Sequence, residues 1–257
     1  MNWIWIWIWI WIWIWIWIFA WEYPIMNWVF RSSFSIAIPT LIFWNVVVWF
    51  LWLLGGSESV WMQKNFLISW EALEQGRLWT LLTSAFSHQS FLHLFVNMYV
   101  LSGFGKPVEA LLGVRRCFRF YMVAGLVAAL AHALTSMLYL DRPDLPALGA
   151  SGSVAGLVLL FALVYPQHRI YLFGLIPVPA LVGALAFVAI DIWGLVSQAQ
   201  GHGLPIGHGA HLGGALTGLL YFFILRRELA EKKRRQESQA SSKDFVDVSS
   251  RRIHIND

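Results

Sequence analysis

Residues 36–54, IAIPTLIFWNVVVWFLWLL, carry no charged side chain. As a helix they are long enough to cross the hydrocarbon of a bilayer. No other feature constrains the fold as much, because a chain in lipid must satisfy its own backbone hydrogen bonds, and only helices and closed barrels do so. Further apolar runs follow at 84–104, 117–140, 148–165, 170–196 and 208–225. Their lengths suit helices, so the expected fold class is an all-α membrane protein with six transmembrane helices. Pro166 stops the fourth run, and Pro177 and Pro179 are expected to bend the fifth. Composition agrees: 12% of the 257 residues are charged, against about 25% in soluble domains, and the mean hydropathy is +0.61.

The polar stretches divide the chain. Residues 57–80 mix Glu58, Lys64, Glu71, Glu74 and Arg77 with Trp and Phe, which suits an interfacial loop containing amphipathic pieces. Asp141–Pro146 reads as a short turn and 197–207, SQAQGHGLPIG, as a flexible loop. From Arg226 the chain turns charged and Ser-rich, as in a fraying helix followed by disorder. The expected organisation is a Trp-Ile hydrophobic segment at 1–22, a cytoplasmic linker at 23–35, a six-span body at 36–228 and a charged, disordered cytoplasmic tail at 229–257.

Lys and Arg fix the orientation. Arg31, then Lys106, Arg115, Arg116 and Arg119, then Arg169, then Arg226 and Arg227 alternate with balanced, acidic or uncharged connections. Both ends of the body are therefore expected in the cytoplasm, and a bacterial inner membrane is the expected location. The formal charge of +4 reflects this topology. No stripe of Lys and Arg interleaved with aromatics marks the apolar body, so the bilayer is the expected partner and nucleic acid is not. The single cysteine, Cys117, forms no intrachain disulfide and reads as a small apolar filler.

Residues 3–18 are eight Trp-Ile repeats. Both partners are apolar, so the alternation gives no amphipathic face. If inserted, the segment must be helical, and 3–21 would span about 28 Å. Trp favours the interface over the hydrocarbon centre, which makes this a poor spanning helix. It has neither the basic region and small-residue cleavage site of a signal peptide nor the Arg of a mitochondrial transit peptide. Low-complexity sequence and an additional N-terminal hydrophobic helix remain the two readings.

The chemistry is carried by a few polar residues in this apolar setting. Gly149-Ala150-Ser151-Gly152 puts a serine where a helix begins, and Gly209-Ala210-His211-Leu212-Gly213-Gly214 puts a histidine in the last run. By topology both lie toward the outer side at similar depth. A polar side chain in a membrane is costly unless paired or functional. A serine becomes a nucleophile when a base such as His211 lies within hydrogen-bond reach. Gly152-x-x-x-Gly156, Gly209-x-x-x-Gly213 and Gly214-x-x-x-Gly218 would let the two helices approach closely. His93 and Asn97, four residues apart on one helical face, can donate to a developing oxyanion, as can the backbone N–H of Ser151. The competing readings are a helix N-cap for Ser151, a packed polar residue for His211 and inter-helix glue for Asn97. The joint pattern favours function.

These residues resemble the rhomboid intramembrane serine proteases over roughly 36–225. The matching text is Arg77-Leu78-Trp79 with Thr80–Thr83, His88 and His93-x-x-x-Asn97 within SHQSFLHLFVNMYVL, Gly149-Ala150-Ser151-Gly152, and His211 in AHLGGALTG. The resemblance implies a six-helix bundle that hydrolyses peptide bonds in or near transmembrane segments of single-pass or other membrane proteins. It also implies Ser151 as nucleophile, His211 as base and His93 with Asn97 as oxyanion hole, with no cofactor and no metal. The alternative is an inactive relative that binds membrane clients. A dyad needs no acidic third member, so Asp191 is expected to be structural or solvent-facing. Some members carry an aromatic four residues after the serine, stacked on the histidine; here that position is Ala155. His202, His208 and His211 raise a metal site, but no HExxH is present and no third ligand is fixed by spacing. His132 and His168 read as structural.

Overall fold

The computed structural model describes residues 35–172 and 175–253. The Trp-Ile segment and all but the last residue of the expected linker lie outside them. The described residues are mostly helical. Helix α1 runs over Ala37–Gly55, followed by three short helices, α2 (Val60–Phe66), α3 (Trp70–Glu74) and α4 (Thr80–Thr83), and a 3-10 turn at Ser84–Phe86. Helix α5 covers Phe91–Leu112, α6 Val114–Leu138 and α7 Ser151–Val164. A hairpin, β1 (Arg169–Leu172) and β2 (Ile176–Pro179), leads into α8 (Ala180–Ala199) and then α9 (His208–Ile253). Among the described residues α1, α6 and α8 are long and apolar enough to cross a membrane, and α7 is a shorter apolar helix.

Several boundaries depart from the sequence reading. Residues 84–90 do not join the second run as helix. Ser90 is extended and its hydroxyl accepts from the His93 N–H, so α5 starts at Phe91. The fifth run is not one bent helix: 169–172 pair antiparallel with 176–179, in the register Arg169 to Pro179 and Leu172 to Ile176. Pro177 and Pro179 have no N–H to give a helix and hold the residues before them extended. Pro179 then caps α8 at φ −57°. Residues 229–253, expected as a disordered tail, are helical here. That stretch opens with Leu, Ala, Glu, Lys, Arg and Gln, all strong helix formers. The chain divides into two compact units at Leu219/Leu220, and every residue discussed below belongs to the first.

Polar pairs lock the apolar helices. The Glu109 carboxylate, near the end of α5, accepts from Ser35 Oγ (2.6 Å) and from the N–H groups of Ile36 and Ala37 (both 2.8 Å) and Ile38 (3.1 Å). It thereby caps the free donors of α1. Trp52 packs with Val48 and Met62 in the core while its Nε1–H donates to Ser87 Oγ at 2.7 Å. The 57–80 segment docks onto the chain entering α7. Ile68 and Ala147 exchange backbone hydrogen bonds of 3.0 and 2.8 Å, and the Gly149 N–H reaches Ser84 O at 2.9 Å. Large apolar side chains such as Leu185, Ile190 and Trp193 on α8 remain exposed, as suits a lipid-facing surface.

Helices α7 and α9 meet backbone to backbone. A Cβ at Gly214 would collide with the Gly152 carbonyl, one at Gly218 with the Gly156 carbonyl, and one at Gly156 would lie 2.8 Å from Gly214 O. Gly209 and Gly213 face α6 instead, against Thr135 and Ala131. Of the three glycine pairs, then, two form the α7–α9 contact. Gly214→Val should force these helices apart. The expected cost is about 1–3 kcal/mol of stability, read by thermal unfolding in detergent.

Candidate functional site

Helix α7 begins at Ser151, and its N-cap is Ala150, which makes no side-chain cap bond. The serine is not spent on capping. Its Oγ lies 2.9 Å from His211 Nε2, across the glycine contact between α7 and α9. Gly149 sets the approach. Its φ of +126° is a conformation L side chains rarely adopt. A Cβ there would lie 2.8 Å from His93 Cε1, 3.0 Å from His93 Nε2 and 3.7 Å from Ser151 Oγ. The chain thus passes between His93 and the serine with room only for hydrogen.

Asp191 was expected to be structural or solvent-facing. It is neither exposed nor remote: it is 2% exposed, and its Oδ1 lies 2.9 Å from His211 Nδ1 and 2.7 Å from His208 Nδ1. An ionised carboxylate only accepts, so each Nδ1 carries the proton. A neutral His211 then has a lone pair on Nε2, facing Ser151. The arrangement Ser151–His211–Asp191 is therefore a hydrogen-bonded chain with the tautomer fixed at one end. The clue in the sequence was that Asp191 is the single charged side chain in 170–196, where an ionisable group in an apolar span marks a functional site by default.

The sequence reading gave no role to Phe187 and weighed His208 only as a metal ligand. Phe187 lies one turn before Asp191 on α8, and its ring sits 5.5 Å from the His211 ring at 32°. It packs on the imidazole although Ala155 supplies no aromatic. His208 shares Asp191 Oδ1 with His211, and Gly194 makes room for its ring, since a Cβ at Gly194 would strike it. Gln198 Nε2 ties the loop before His208 by donating to Ile206 O at 2.8 Å.

His93 stands beside Gly149, as the geometry above shows. Asn97 is buried and donates through Nδ2 to His93 O at 2.9 Å, which leaves its second amide hydrogen for another acceptor. His88 is fully buried. Its Nε2 accepts from the Ala150 N–H at 3.4 Å, and its ring meets His93 edge-on at 4.8 Å. It braces both sides of the turn into Ser151. His132 Nε2 donates to Leu145 O at 3.1 Å, tying the loop before α7, and His202 lies exposed in the 200–207 loop.

The family model of the Rhomboid domain matches residues 75–228, which include every residue of this site. The chain is 35% identical over 208 residues to rhomboid protein 1, mitochondrial, of Saccharomyces cerevisiae, covering 78% of this chain and 56% of that protein. It is 30% identical over 213 residues to RHOMBOID-like protein 12, mitochondrial, of Arabidopsis thaliana, covering 78% and 62%. To rhomboid-like protein 16, chloroplastic, of the same plant it is 31% identical over 156 residues, covering 56% and 48%. The chain thus spans about half to three fifths of these relatives' lengths. Their organellar names run against the expectation of a bacterial inner membrane. With its apolar helices, its glycine-paired α7 and α9 and the match over 75–228, the chain is an integral membrane protein that belongs to the rhomboid family.

Proposed function

We propose that this protein is an intramembrane serine endopeptidase that cuts single-pass or other membrane proteins in or near their transmembrane segments. The observation that carries the reading is the 2.9 Å contact between Ser151 Oγ and His211 Nε2, set among apolar helices. Ser151 attacks the scissile carbonyl as His211 Nε2 takes its proton, and Asp191 stabilises the imidazolium that forms. The oxyanion is held by the Ser151 N–H at the start of α7, by His93 and by Asn97. His211 then protonates the leaving amine, and water releases the acyl group from Ser151 by the reverse proton path.

In this reading α1, α5, α6, α7, α8 and α9 are the six spans of a body at 36–228. The Lys and Arg pattern places Ser151 toward the face opposite the basic flanks. The names of the relatives favour an organellar membrane. Phe187 and Asp191 both stand on α8, so a substrate that displaces α8 also releases the base. Neither cofactor nor nucleic acid enters the mechanism.

Ser151→Ala should abolish both cleavage of a labelled transmembrane substrate and labelling by a fluorophosphonate, and His211→Ala should match it in cleavage. Labelling that persists in Ser151→Ala would place the nucleophile elsewhere. His93→Ala and Asn97→Ala should each lower kcat by about 10- to 1,000-fold with a smaller change in KM.

Asp191→Asn keeps the shape but offers His211 an amide donor, which favours the tautomer with its proton on Nε2. The expected loss is about 100- to 10,000-fold in kcat. Wild-type kcat in that variant would return Asp191 to a structural role.

A further inference from the structure

We propose that Asp191, His208 and His211 form an inhibitory site for a divalent transition metal, with zinc as its best occupant. The inference concerns regulation of the site above and rests on His211 being its base. Each of the three offers a ligand atom within 4.8 Å of the others, and Asp191 Oδ1 already meets Nδ1 of both histidines. Two imidazoles and a carboxylate are the donor set that zinc takes with three protein ligands and one open position. His208 and His211 are one turn apart on α9, and Asp191 comes from α8, so two helices already converge on the point. Their side chains are 5%, 11% and 3% exposed, and a dry setting strengthens attraction between a carboxylate and a dication.

Little has to move. Tetrahedral zinc at about 2.0–2.2 Å from each ligand needs donor atoms roughly 3.3–3.5 Å apart. The two histidine–carboxylate distances are 2.7 and 2.9 Å and the ligand atoms lie within 4.8 Å of one another, so Asp191 withdraws by a fraction of an ångström while the two imidazoles close toward each other. Gly194 leaves the His208 ring without a Cβ against it.

The consequence follows from the imidazole itself. In the metal-free state Nδ1–H donates to Asp191 and the Nε2 lone pair faces Ser151. A metal on Nδ1 displaces the proton from that nitrogen and takes its lone pair, and the one proton of the neutral ring moves to Nε2. His211 becomes a donor toward Ser151 Oγ and cannot accept its proton. No electron is transferred, and each histidine keeps its single proton. The metal lies across the ring from Ser151, so it does not reach the scissile carbonyl and acts as a brake, not as a Lewis acid.

The experiment uses the full chain in detergent. Wild-type cleavage is titrated with ZnCl2, with MgCl2 as control, and then treated with EDTA. Separately, Ser151→Ala protein is titrated with Co2+ and followed by the visible absorption of tetrahedral cobalt. We expect zinc to inhibit at micromolar concentration, magnesium to have no effect, and EDTA to restore activity. We expect a cobalt spectrum that zinc displaces and that Ser151→Ala/His208→Asn lacks. The zinc needed for half-inhibition, taken against each variant's own zinc-free rate, should rise about tenfold or more in His208→Asn, a loss of one ligand worth ~1.4 kcal/mol. An active wild type indifferent to zinc, or a Ser151→Ala protein without a cobalt spectrum, would overturn the inference and leave the protease reading intact. Should zinc-free wild type neither cleave nor label, the protease reading fails while the cobalt titration still tests the metal site. If His208→Asn does not fold, His208→Gln carries the same comparison.

Discussion

The hydrogen bonds of Asp191 are the interaction on which the rest of the site depends. A carboxylate among apolar helices is costly unless its oxygens are met by donors. Here Nδ1–H groups of His208 and His211 meet one oxygen at 2.7 and 2.9 Å. Each bond settles a second question besides the cost of burial. The one from His211 fixes which ring nitrogen is free, and so leaves Nε2 as an acceptor facing Ser151 Oγ. The one from His208 keeps the carboxylate turned toward α9.

Backbone geometry brings these groups within reach. Serine has a short side chain, so an imidazole on a neighbouring helix can touch it only if the two backbones nearly touch. Gly152 and Gly156 against Gly214 and Gly218 allow that approach. Gly149 does the same for His93 on the other side of the serine. The loop entering α7 is in turn held by Ser84, Ile68, His88 and His132. The Ser151 hydroxyl is thus positioned by backbone and by buried imidazoles.

Much of this was legible in the sequence. Ser151 and His211 stand out because serine and histidine flanked by glycines in apolar runs have few structural excuses, and periodicity places His93 and Asn97 on one face. The helical character of the apolar runs follows from their length. Three things were not legible. The start of the fifth run reads as apolar either way, and only the prolines at 177 and 179 hint that it cannot donate its helical hydrogen bonds. The partner of each glycine pair depends on helix rotation, which a short motif does not encode. Asp191 was set aside because a dyad has no formal need of it, although its isolation in an apolar run was the stronger physical signal.

Helix α8 joins two demands that the sequence presents separately. Among the long apolar helices it leaves the most surface to lipid, with Ile190, Ile192 and Trp193 exposed, yet one narrow face carries Phe187 and Asp191 onto His211. A helix held mainly by contacts of that face is the easiest to displace, because lipid replaces its remaining neighbours at little cost. In some rhomboids the aromatic that steadies the histidine stands on the serine's own helix; here Ala155 occupies that position and the steadying ring comes from α8. The orientation of the His211 ring is therefore tied to α8 and not to the helix that carries Ser151.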